Sequence, residues 1–234
     1  MNDTTIQNRH SIIRAFFPGT GKSYDAVVNI FTLGLDRYWK RAIYGRLPPS
    51  DRILDLACGT GIVTMGLAKR FPQAEIVGVD ITDDYLAIYK ERIRQKNIHA
   101  TFMLGNAESV ALEGEFDSIV SSYIPKYVDP DLLLKNISNH LKPGGMIVLH
   151  DFTLPPNRIA RRIWSVYNLT MNFVGSRLFP EWKEVFDAGL TKLIRNTMWF
   201  ENFPQALQDH GYINVRKKYL SLGSAGIIWA EMKK

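Results

Sequence analysis

One stretch constrains the fold of this chain more than any other: R-I-L-D-L-A-C-G-T-G, residues 52–61. Its apolar residues are typical of a strand buried on both faces of a parallel sheet. Gly59, Thr60 and Gly61 then turn the chain into a helical pattern over 62–70. Glycine lets the backbone bend tightly and lets a ligand approach without meeting a Cβ. A strand, a glycine turn and a helix in this order predict a small-molecule site at the helix N-terminus.

Asp55, at the end of that strand, indicates which ligand the turn favours. A carboxylate repels a phosphate and attracts an ammonium group, so the site suits a zwitterion better than a pyrophosphate. The third glycine of a dinucleotide fingerprint is also missing, because Thr64 holds that position. Both residues therefore argue against a nicotinamide-dependent oxidoreductase, which is the first alternative for this kind of sheet.

The remaining chain alternates short apolar runs with helical patterns. Four more buried strands are predicted, over 75–79, 100–104, 117–122 and 146–149. A hairpin of two further strands, 212–220 and 225–232, is predicted around S-L-G-S. This order predicts an α/β fold with a doubly wound, mostly parallel seven-stranded sheet of the Rossmann-like kind and a C-terminal antiparallel hairpin.

Ligands of such sheets bind at the carboxyl ends of the strands. Residues able to contact a ligand recur at those ends: Asp55, Gly59, Asp80, Asn106, Ser121 and Asp151. An acid about 20 residues beyond the glycine turn is placed to accept both ribose hydroxyls of a nucleoside, so Asp80 predicts an adenosine. We therefore expect one ligand site along this edge of the sheet.

Three motifs carry a family resemblance. D-L-A-C-G-T-G resembles the first motif of class I S-adenosylmethionine (SAM) methyltransferases, D/E-x-x-x-G-x-G. The segment Y-D-A-V-V-N-I-F-T-L-G-L-D-R-Y-W-K (24–40) resembles the entry motif of the ubiquinone/menaquinone biosynthesis methyltransferases of the UbiE type. H-L-K-P-G-G-M-I-V-L-H-D-F-T (140–153) resembles their second signature. The resemblance spans nearly the whole chain and is weakest over 155–200.

The resemblance implies SAM as the cofactor. It implies binding by residues of the entry helix, the glycine turn and the strand ends: Tyr24, Asp55, Ala57, Gly59, Thr60, Gly61, Asp80, Ile81, Asn106, Ala107, Glu108 and Ser121. In the family an acid usually meets the adenine amino group at the position of Asn106. An amide oxygen can accept the same bond, although an ordinary turn residue is the other reading of Asn106.

The resemblance also implies a SAM-dependent methyl transfer to a small, aromatic acceptor such as a quinol or a quinone-biosynthesis intermediate. A general base would help, and the candidates are Asp151, His150 and Tyr127, together with Tyr24. A core histidine is the competing reading of His150. The other functional alternative is a SAM-binding protein with altered or no methyltransferase chemistry.

The acceptor need not be the family's quinone, because four positions depart from the family pattern. Val28 and Asp36 stand where the family has Asn and His, and Lys126 and Tyr127 stand near its Arg-Asn pair. No Cys/His cluster has zinc spacing, so no metal site is expected.

We expect a single domain over 1–234. Its parts are an N-terminal arm and entry helix (1–45), a cofactor-binding core (46–153), a helical lid (154–200) and a final helix with strands (201–234). One continuous helix is predicted over 24–44. The segment 156–200 is rich in large apolar side chains and begins with Arg158, Arg161 and Arg162. It either covers an apolar acceptor, with its arginines near membrane headgroups, or simply packs onto the sheet.

Charge and composition limit the partners. The net charge of +6 admits nucleic acid, an anionic membrane or an acidic substrate, or a basic but unspecialised surface. The N/D-P-P-Y/F motif of nucleic-acid amine methyltransferases is missing after the fourth strand, so no nucleic acid is expected. The single Cys58, with no signal peptide and no transmembrane run, predicts a cytoplasmic protein. Peripheral membrane contact and a homodimer are left open.

Overall fold

The computed structural model describes residues 17–234, without the side chains of residues 187 and 188. Most of the predicted N-terminal arm, residues 1–16, therefore lies outside the described residues. No helix among residues 17–234 is long and apolar enough to cross a membrane.

The described chain alternates helices and strands. The helices are α1 (Gly21–Phe31), α2 (Leu35–Tyr44), α3 (Ile62–Arg70), α4 (Asp83–Gln95), α5 (Pro130–Ile137), α6 (Arg158–Leu178), α7 (Leu190–Asn196) and α8 (Trp199–Asp209). The strands are β1 (Arg52–Leu56), β2 (Glu75–Asp80), β3 (Ala100–Leu104), β4 (Phe116–Ser122), β5 (Leu141–Phe152), β6 (Tyr212–Leu220) and β7 (Ala225–Met232). Between α6 and α7 lie a short 3₁₀ turn (Pro180–Trp182) and a π-helical turn (Val185–Gly189).

The strands form one seven-stranded sheet in the order β3-β2-β1-β4-β5-β7-β6. The first five strands are parallel, while β7 runs antiparallel to both β5 and β6. The predicted doubly wound sheet with its C-terminal hairpin is thereby confirmed. The strand order reverses between β1 and β4, and the carboxyl ends of these two strands border the crevice in which such sheets bind ligands.

Alternation along the strands divides the core into two layers. Leu54 and Leu56 face one layer with Phe203 and Leu207 of α8, whereas Ile53 faces the other with Trp39 of α2. Because successive side chains point to opposite faces of a sheet, Asp55 lies on the same face as Ile53. The only acid inside β1 is thus directed toward the helix that follows the glycine turn.

The predicted single helix over 24–44 is wrong, because the chain breaks after Phe31. Leu33 and Gly34 have positive φ values of 52° and 74°, and the Gly34 amide donates to the carbonyl of Asn29 at 2.8 Å. Glycine adopts this left-handed conformation without the steric cost of a Cβ. The apolar stripe continues across the break, so periodicity alone gave no sign of it.

The fifth strand is also longer than predicted. It begins at Leu141 rather than at residue 146, and residues 142–145 form a bulge within the strand. Leu141 pairs with Phe116 and Met146 with Ser118, so four residues of β5 oppose one of β4. Gly144, with φ 78°, provides the bend that this irregularity requires.

Candidate active site

The glycine turn after β1 is held in a tight, partly left-handed conformation. Ala57, Gly59 and Gly61 have φ values of 54°, 54° and 86°. A Cβ on Gly61 would lie 2.9 Å from a ring carbon of Tyr89, which packs beneath the turn. The Cys58 amide donates to the carbonyl of Val79 at 3.0 Å and fixes the turn to β2. Gly61 is therefore required for packing, whereas Gly59 borders open space in the cavity.

Asp80, at the end of β2, organises the backbone around this turn. Its Oδ2 accepts a hydrogen bond from the Gly59 amide at 2.9 Å, and its Oδ1 accepts one from the Thr82 amide at 2.9 Å. Burial raises the pKa of Asp80, and these backbone hydrogen bonds oppose the shift. A carboxylate offers about four acceptor positions, so Asp80 can still accept hydroxyl groups from the cavity that it lines.

Asp55 lies beneath the cavity rather than in its wall. It is fully buried, and its Oδ2 accepts a hydrogen bond from the Thr64 hydroxyl at 2.6 Å. Its Oδ1 has no hydrogen-bond partner among the described residues. Burial raises the pKa of Asp55 to about 7. A buried carboxylate oxygen without a donor is unfavourable, which agrees with the raised pKa of this group.

Thr60 does not line the cavity, and its hydrogen bonds connect the glycine turn to α1 and α4. Its hydroxyl donates to Asp25 Oδ1 of α1 at 2.6 Å. Arg92 of α4 donates to Asp25 Oδ2 at 2.5 Å and to the Thr60 carbonyl at 2.8 Å. We call Asp25, Thr60 and Arg92 the clasp, because together they attach α1 to the glycine turn.

Two predicted cofactor residues, Glu108 after β3 and Ser121 near the end of β4, make hydrogen bonds within the protein. Glu108 Oε1 accepts a hydrogen bond from the Asp129 amide at 2.7 Å, and the Glu108 amide donates to Asn106 Oδ1 at 3.0 Å. Ser121 is fully buried and donates to the Leu56 carbonyl at 2.8 Å. These contacts support the two strand ends that border the cavity.

The cavity has a volume of about 480 Å³ and lies between the glycine turn and the segment that contains α6 and α7. Among the predicted cofactor residues, those that line it are Tyr24, Ala57, Gly59, Asp80, Ile81, Asn106 and Ala107. Those behind its wall are Asp55, Thr60, Gly61, Glu108 and Ser121. This volume falls in the range of small-molecule sites, about 300–1,000 Å³. The lining residues fit an adenosine and an amino-acid moiety, as the prediction of SAM requires.

Twelve of the residues that line the cavity are aromatic. They come from the chain before α1, from α1, α2 and α4, from the loop after β4, from β5 and from the segment 158–196: Phe17, Tyr24, Phe31, Trp39, Tyr85, Tyr123, Tyr127, Phe152, Trp164, Tyr167, Trp182 and Phe186. The Tyr123 and Phe152 rings stack with centroids 4.7 Å apart and an interplanar angle of 15°. A flat, apolar molecule can pack against such rings while water is excluded.

A buried polar group lies under this wall at Tyr123. The Tyr123 hydroxyl donates to Asp36 Oδ1 at 2.6 Å, and the Lys40 ammonium binds the same oxygen. Lys40 also lies 4.8 Å from the centre of the Tyr123 ring. Burial raises the pKa of the Tyr123 hydroxyl, with the Asp36 carboxylate adding to the shift. Burial lowers the pKa of Lys40, against the attraction of Asp36.

This group was missed by the sequence reasoning, which noted Asp36 only as a departure from the family and did not single out Tyr123. The spacing of Asp36 and Lys40, four residues apart on one helix, is a signal for an ion pair. Tyr123 follows the end of β4 with a φ of 76°, and 87 positions separate it from Asp36. Only the fold brings these two residues together.

The predicted bases Asp151 and His150 lie outside the cavity lining. Asp151 is fully buried and pairs with Lys126 at 2.8 Å, and it also accepts hydrogen bonds from the Lys126 and Phe152 amides. His150 is fully buried between the rings of Trp39 and Tyr123, and burial lowers its pKa well below the usual value. The imidazole is therefore neutral, and its position is that of a core histidine.

Tyr127, the third predicted catalytic residue, does line the cavity. The Lys126 ammonium lies 4.3 Å from the centre of its ring, and burial raises the pKa of its hydroxyl well above the usual value. Tyr24 lines the cavity too, with its ring centre 5.1 Å from that of Tyr85. Within residues 17–234, no group of three or more His, Cys, Asp or Glu residues could hold a metal ion.

Comparisons with known proteins assign this arrangement to a family. The model of the ubiE/COQ5 methyltransferase family matches residues 4–232. A demethylmenaquinone methyltransferase of Lactobacillus johnsonii is 28% identical to this chain, over 95% of this chain and 93% of its own length. The family match sets aside a nicotinamide-dependent oxidoreductase.

Two solved structures share the fold. One is a putative S-adenosyl-L-methionine-dependent methyltransferase from Methanococcus maripaludis, with a TM-score of 0.64, 19% identity and 92% of each chain covered. The other is phosphoethanolamine N-methyltransferase 2 of Haemonchus contortus in complex with S-adenosyl-L-methionine, with a TM-score of 0.58 and 15% identity. The latter match covers 84% of this chain and 53% of that one. Because the family model matches nearly the whole of this chain, the chain belongs to the ubiE/COQ5 methyltransferase family and is a SAM-dependent methyltransferase.

Proposed function

We propose that this enzyme methylates a small aromatic acceptor, a quinol or a related ring compound with a free hydroxyl group. The observation that carries the proposal is a single cavity whose wall passes from Gly59, Asp80 and Asn106 to a surface of aromatic rings. A flat neutral ring fits such a wall, because aromatic faces pack against each other and exclude water. The relative from Lactobacillus johnsonii, named as a demethylmenaquinone methyltransferase, supports the same class of acceptor.

The residues around the glycine turn would hold the cofactor. SAM supplies a methyl group that is already activated by its attachment to a sulfonium. Asp80 would accept the ribose hydroxyls, and Asn106 would contact the adenine. Ala57 and Gly59 would admit the amino-acid moiety close to the backbone. The protein's main contribution is to orient the acceptor, which can lower a barrier by about 7–11 kcal/mol.

We further assign the removal of the acceptor's proton to Tyr123 and Asp36. Tyr123 lines the cavity, and its hydroxyl already donates to the Asp36 carboxylate. A hydroxyl group of the acceptor can donate its proton to Tyr123 Oη while the Tyr123 proton passes to Asp36. The acceptor O–H bond breaks, an O–H bond forms on Asp36, and Tyr123 ends neutral. Its raised pKa suits this relay role, because Tyr123 remains protonated before and after the transfer.

Lys40 balances the charge of Asp36 before the proton arrives. Its ammonium binds Asp36 Oδ1, and both side chains are almost fully buried. Asp151 already has Lys126 and two backbone amides as partners and does not line the cavity. Tyr123 and Asp36 therefore offer the acceptor's proton a more direct route than Asp151 does.

An acceptor panel tests the proposed function. The purified protein would be incubated with methyl-labelled SAM and with quinols, simple phenols, an aliphatic amine and transfer RNA, each measured separately. We expect label in the quinol or phenol products, identified by mass spectrometry, and none in the amine or the RNA. Label confined to the amine or the RNA would contradict the proposal, as would no transfer to any ring compound while SAM binding is demonstrated by calorimetry.

A further inference from the structure

The outer face of α6 exposes a continuous apolar stripe. Its members are 60–73% exposed: Ile159, Ile163, Val166, Leu169, Phe173 and Leu178. Most are spaced three or four residues apart, which places them on one side of the helix. We call these six residues the α6 outer face. Monomeric proteins seldom leave a large contiguous apolar patch in water unless another surface covers it.

The same helix is strongly basic. It contains Arg158, Arg161, Arg162 and Arg177 and no Asp or Glu. Arg158, Arg161, Arg162 and Ser165 line a shallow groove beside the apolar stripe. A helix with large apolar side chains on one face and arginines beside them is typical of helices that lie in a membrane interface.

The α6 outer face adjoins the mouth of the cavity. Ile163 belongs to both, since it lines the cavity and is 63% exposed. Leu33, in the break between α1 and α2, and Leu222, in the β6–β7 connection, also line the cavity and are 71% and 85% exposed. The opposite side of α6 lines the cavity through residues such as Trp164 and Tyr167. The exposed apolar side chains thus surround an opening rather than a closed surface.

We propose that the α6 outer face binds the surface of an anionic lipid bilayer, with the helix parallel to the membrane and the cavity mouth directed toward it. Apolar side chains would enter the region between headgroups and acyl chains, and the arginines would meet the phosphates. A second copy of this chain fits less well, because a two-fold dimer through this face would bring two sets of arginines together without acids from α6. This binding does not depend on methyl transfer, so either can fail alone.

Vesicle sedimentation of the full-length protein tests the apolar contact. Vesicles of phosphatidylglycerol and phosphatidylcholine should bind the protein, and Leu169→Asp with Phe173→Asp should lower the affinity about tenfold or more. Both side chains are exposed, so circular dichroism should show an unchanged fold. Leu132→Asp, at an exposed leucine of α5, is the matched control and should bind like the wild type. Equal binding by all three proteins would overturn the proposal.

Charge reversal tests the second contact. Arg158→Glu with Arg162→Glu should weaken binding to the anionic vesicles about tenfold, and raised salt should do the same to the wild type. Lys96→Glu with Lys135→Glu changes the net charge equally at exposed positions outside α6 and should have a much smaller effect. Equal losses of affinity in the two variants would show that vesicle binding depends only on net charge, and would overturn the assignment to α6.

Two further results would give the face to another occupant. Light scattering that shows a dimer, which the Leu169→Asp and Phe173→Asp substitutions dissociate, would assign the face to a second copy. Vesicle binding that survives all α6 substitutions but is lost on removal of residues 1–16 would assign membrane contact to that segment. Either result would overturn the proposal, whereas a monomer that binds vesicles through α6 supports it.

Discussion

Asp55 shows how a buried carboxyl group beneath a cavity can reduce the stability of the protein. Its carboxyl group is fully buried, one oxygen has only Thr64 as a donor, and the other has no partner among the described residues. Burial raises its pKa to about 7. The folded protein therefore holds a proton on Asp55 that the unfolded chain releases near pH 4.

The stability contribution of Asp55 should depend on pH with a defined sign. Because the folded-state pKa is raised, the contribution is fully present below about pH 4 and is lost as the pH rises to about 7. Asp55→Asn should remove this loss, and the variant without ligand should be more stable than the wild type at pH 8 by up to roughly 4 kcal/mol. Urea unfolding of both proteins from pH 5 to pH 8 measures the difference. Asp51→Asn, at an exposed aspartate, is the control and should follow the wild type. If the free energies of unfolding of the wild type and of Asp55→Asn change with pH in parallel, the raised pKa of Asp55 is contradicted.

Tyr123 and Tyr127 form a matched pair for the proposed proton relay. Both line the cavity, but only the Tyr123 hydroxyl is seen to donate to Asp36. Tyr123→Phe should lower kcat about a hundredfold or more, since general acid–base groups typically contribute 10²–10⁴-fold. SAM affinity should not change. Tyr127→Phe should keep most of the activity.

Asp36→Asn separates proton transfer from positioning. The amide oxygen can still accept the Tyr123 hydrogen bond, but it cannot take up the proton, so kcat should fall while KM for the acceptor stays similar. Steady-state kinetics with one quinol acceptor measures all three variants. A large loss in Tyr127→Phe with normal activity in Tyr123→Phe would transfer the role to Tyr127.

The residues of the site differed in how well they could be predicted. Asp80 and Asn106 could be placed at the cavity because each lies at or just beyond the end of a recognisable strand. Tyr123 with Asp36 could not, because the pair joins a loop after β4 to a helix near the N-terminus. His150 was an ambiguous residue in a strand, and its depth between two rings is a property of the packed core rather than of the local sequence.

At the scale of elements, the clasp fixes α1 over the cofactor side of the cavity. Asp25 of α1 accepts hydrogen bonds from Thr60 in the glycine turn and from Arg92 of α4. Ser23 of the same helix accepts a hydrogen bond from the Trp182 indole and donates one to Glu181. Helix α1 is thus attached both to the glycine-turn side of the cavity and to the segment between α6 and α7.

Removal of the clasp should weaken cofactor binding. Asp25→Ala loses a partly exposed ion pair and a hydrogen bond to Thr60, together about 1–3 kcal/mol. If this attachment positions α1 for the cofactor, SAM affinity should fall about tenfold while the circular dichroism spectrum stays the same. Lys22→Ala, at an exposed lysine of the same helix, should bind SAM normally. Calorimetry decides the question, and equal affinities for both variants would show that the clasp only supports α1.

Regular elements were predictable because their apolar periodicity is local. The strands β2, β3 and β4 and the two strands of the terminal hairpin lie within one residue of their predicted bounds, whereas β5 begins five residues earlier than predicted. The break at Leu33 and Gly34 was not predictable from periodicity, because both halves of the entry segment are amphipathic with the same period. The bulge in β5 depends on its pairing with β4, a long-range contact that no local pattern contains.

At the scale of the whole molecule, one cavity connects the carboxyl edge of the sheet to the helices over residues 158–196, which we call the helical cover. The sheet provides Asp80 and the glycine turn, and the cover provides rings such as Trp164, Tyr167 and Trp182. The family resemblance is weakest over this cover, which provides part of the proposed acceptor wall. We therefore propose that cofactor binding and acceptor choice depend on different parts of the chain.

The most direct test of this division is to measure methyl transfer by a variant in which a larger side chain on the helical cover fills the cavity. Ala160 lines the cavity at the start of α6, and Ala160→Trp places a large ring there. Val166→Trp, on the exposed side of the same helix, is the matched control. Labelled-methyl transfer to the best quinol acceptor would be measured together with SAM affinity. We predict that Ala160→Trp lowers transfer about a hundredfold with unchanged SAM affinity, because small displacements of an acceptor are costly. Val166→Trp should leave both unchanged. Transfer by Ala160→Trp at the wild-type rate would contradict the placement of the acceptor in this cavity.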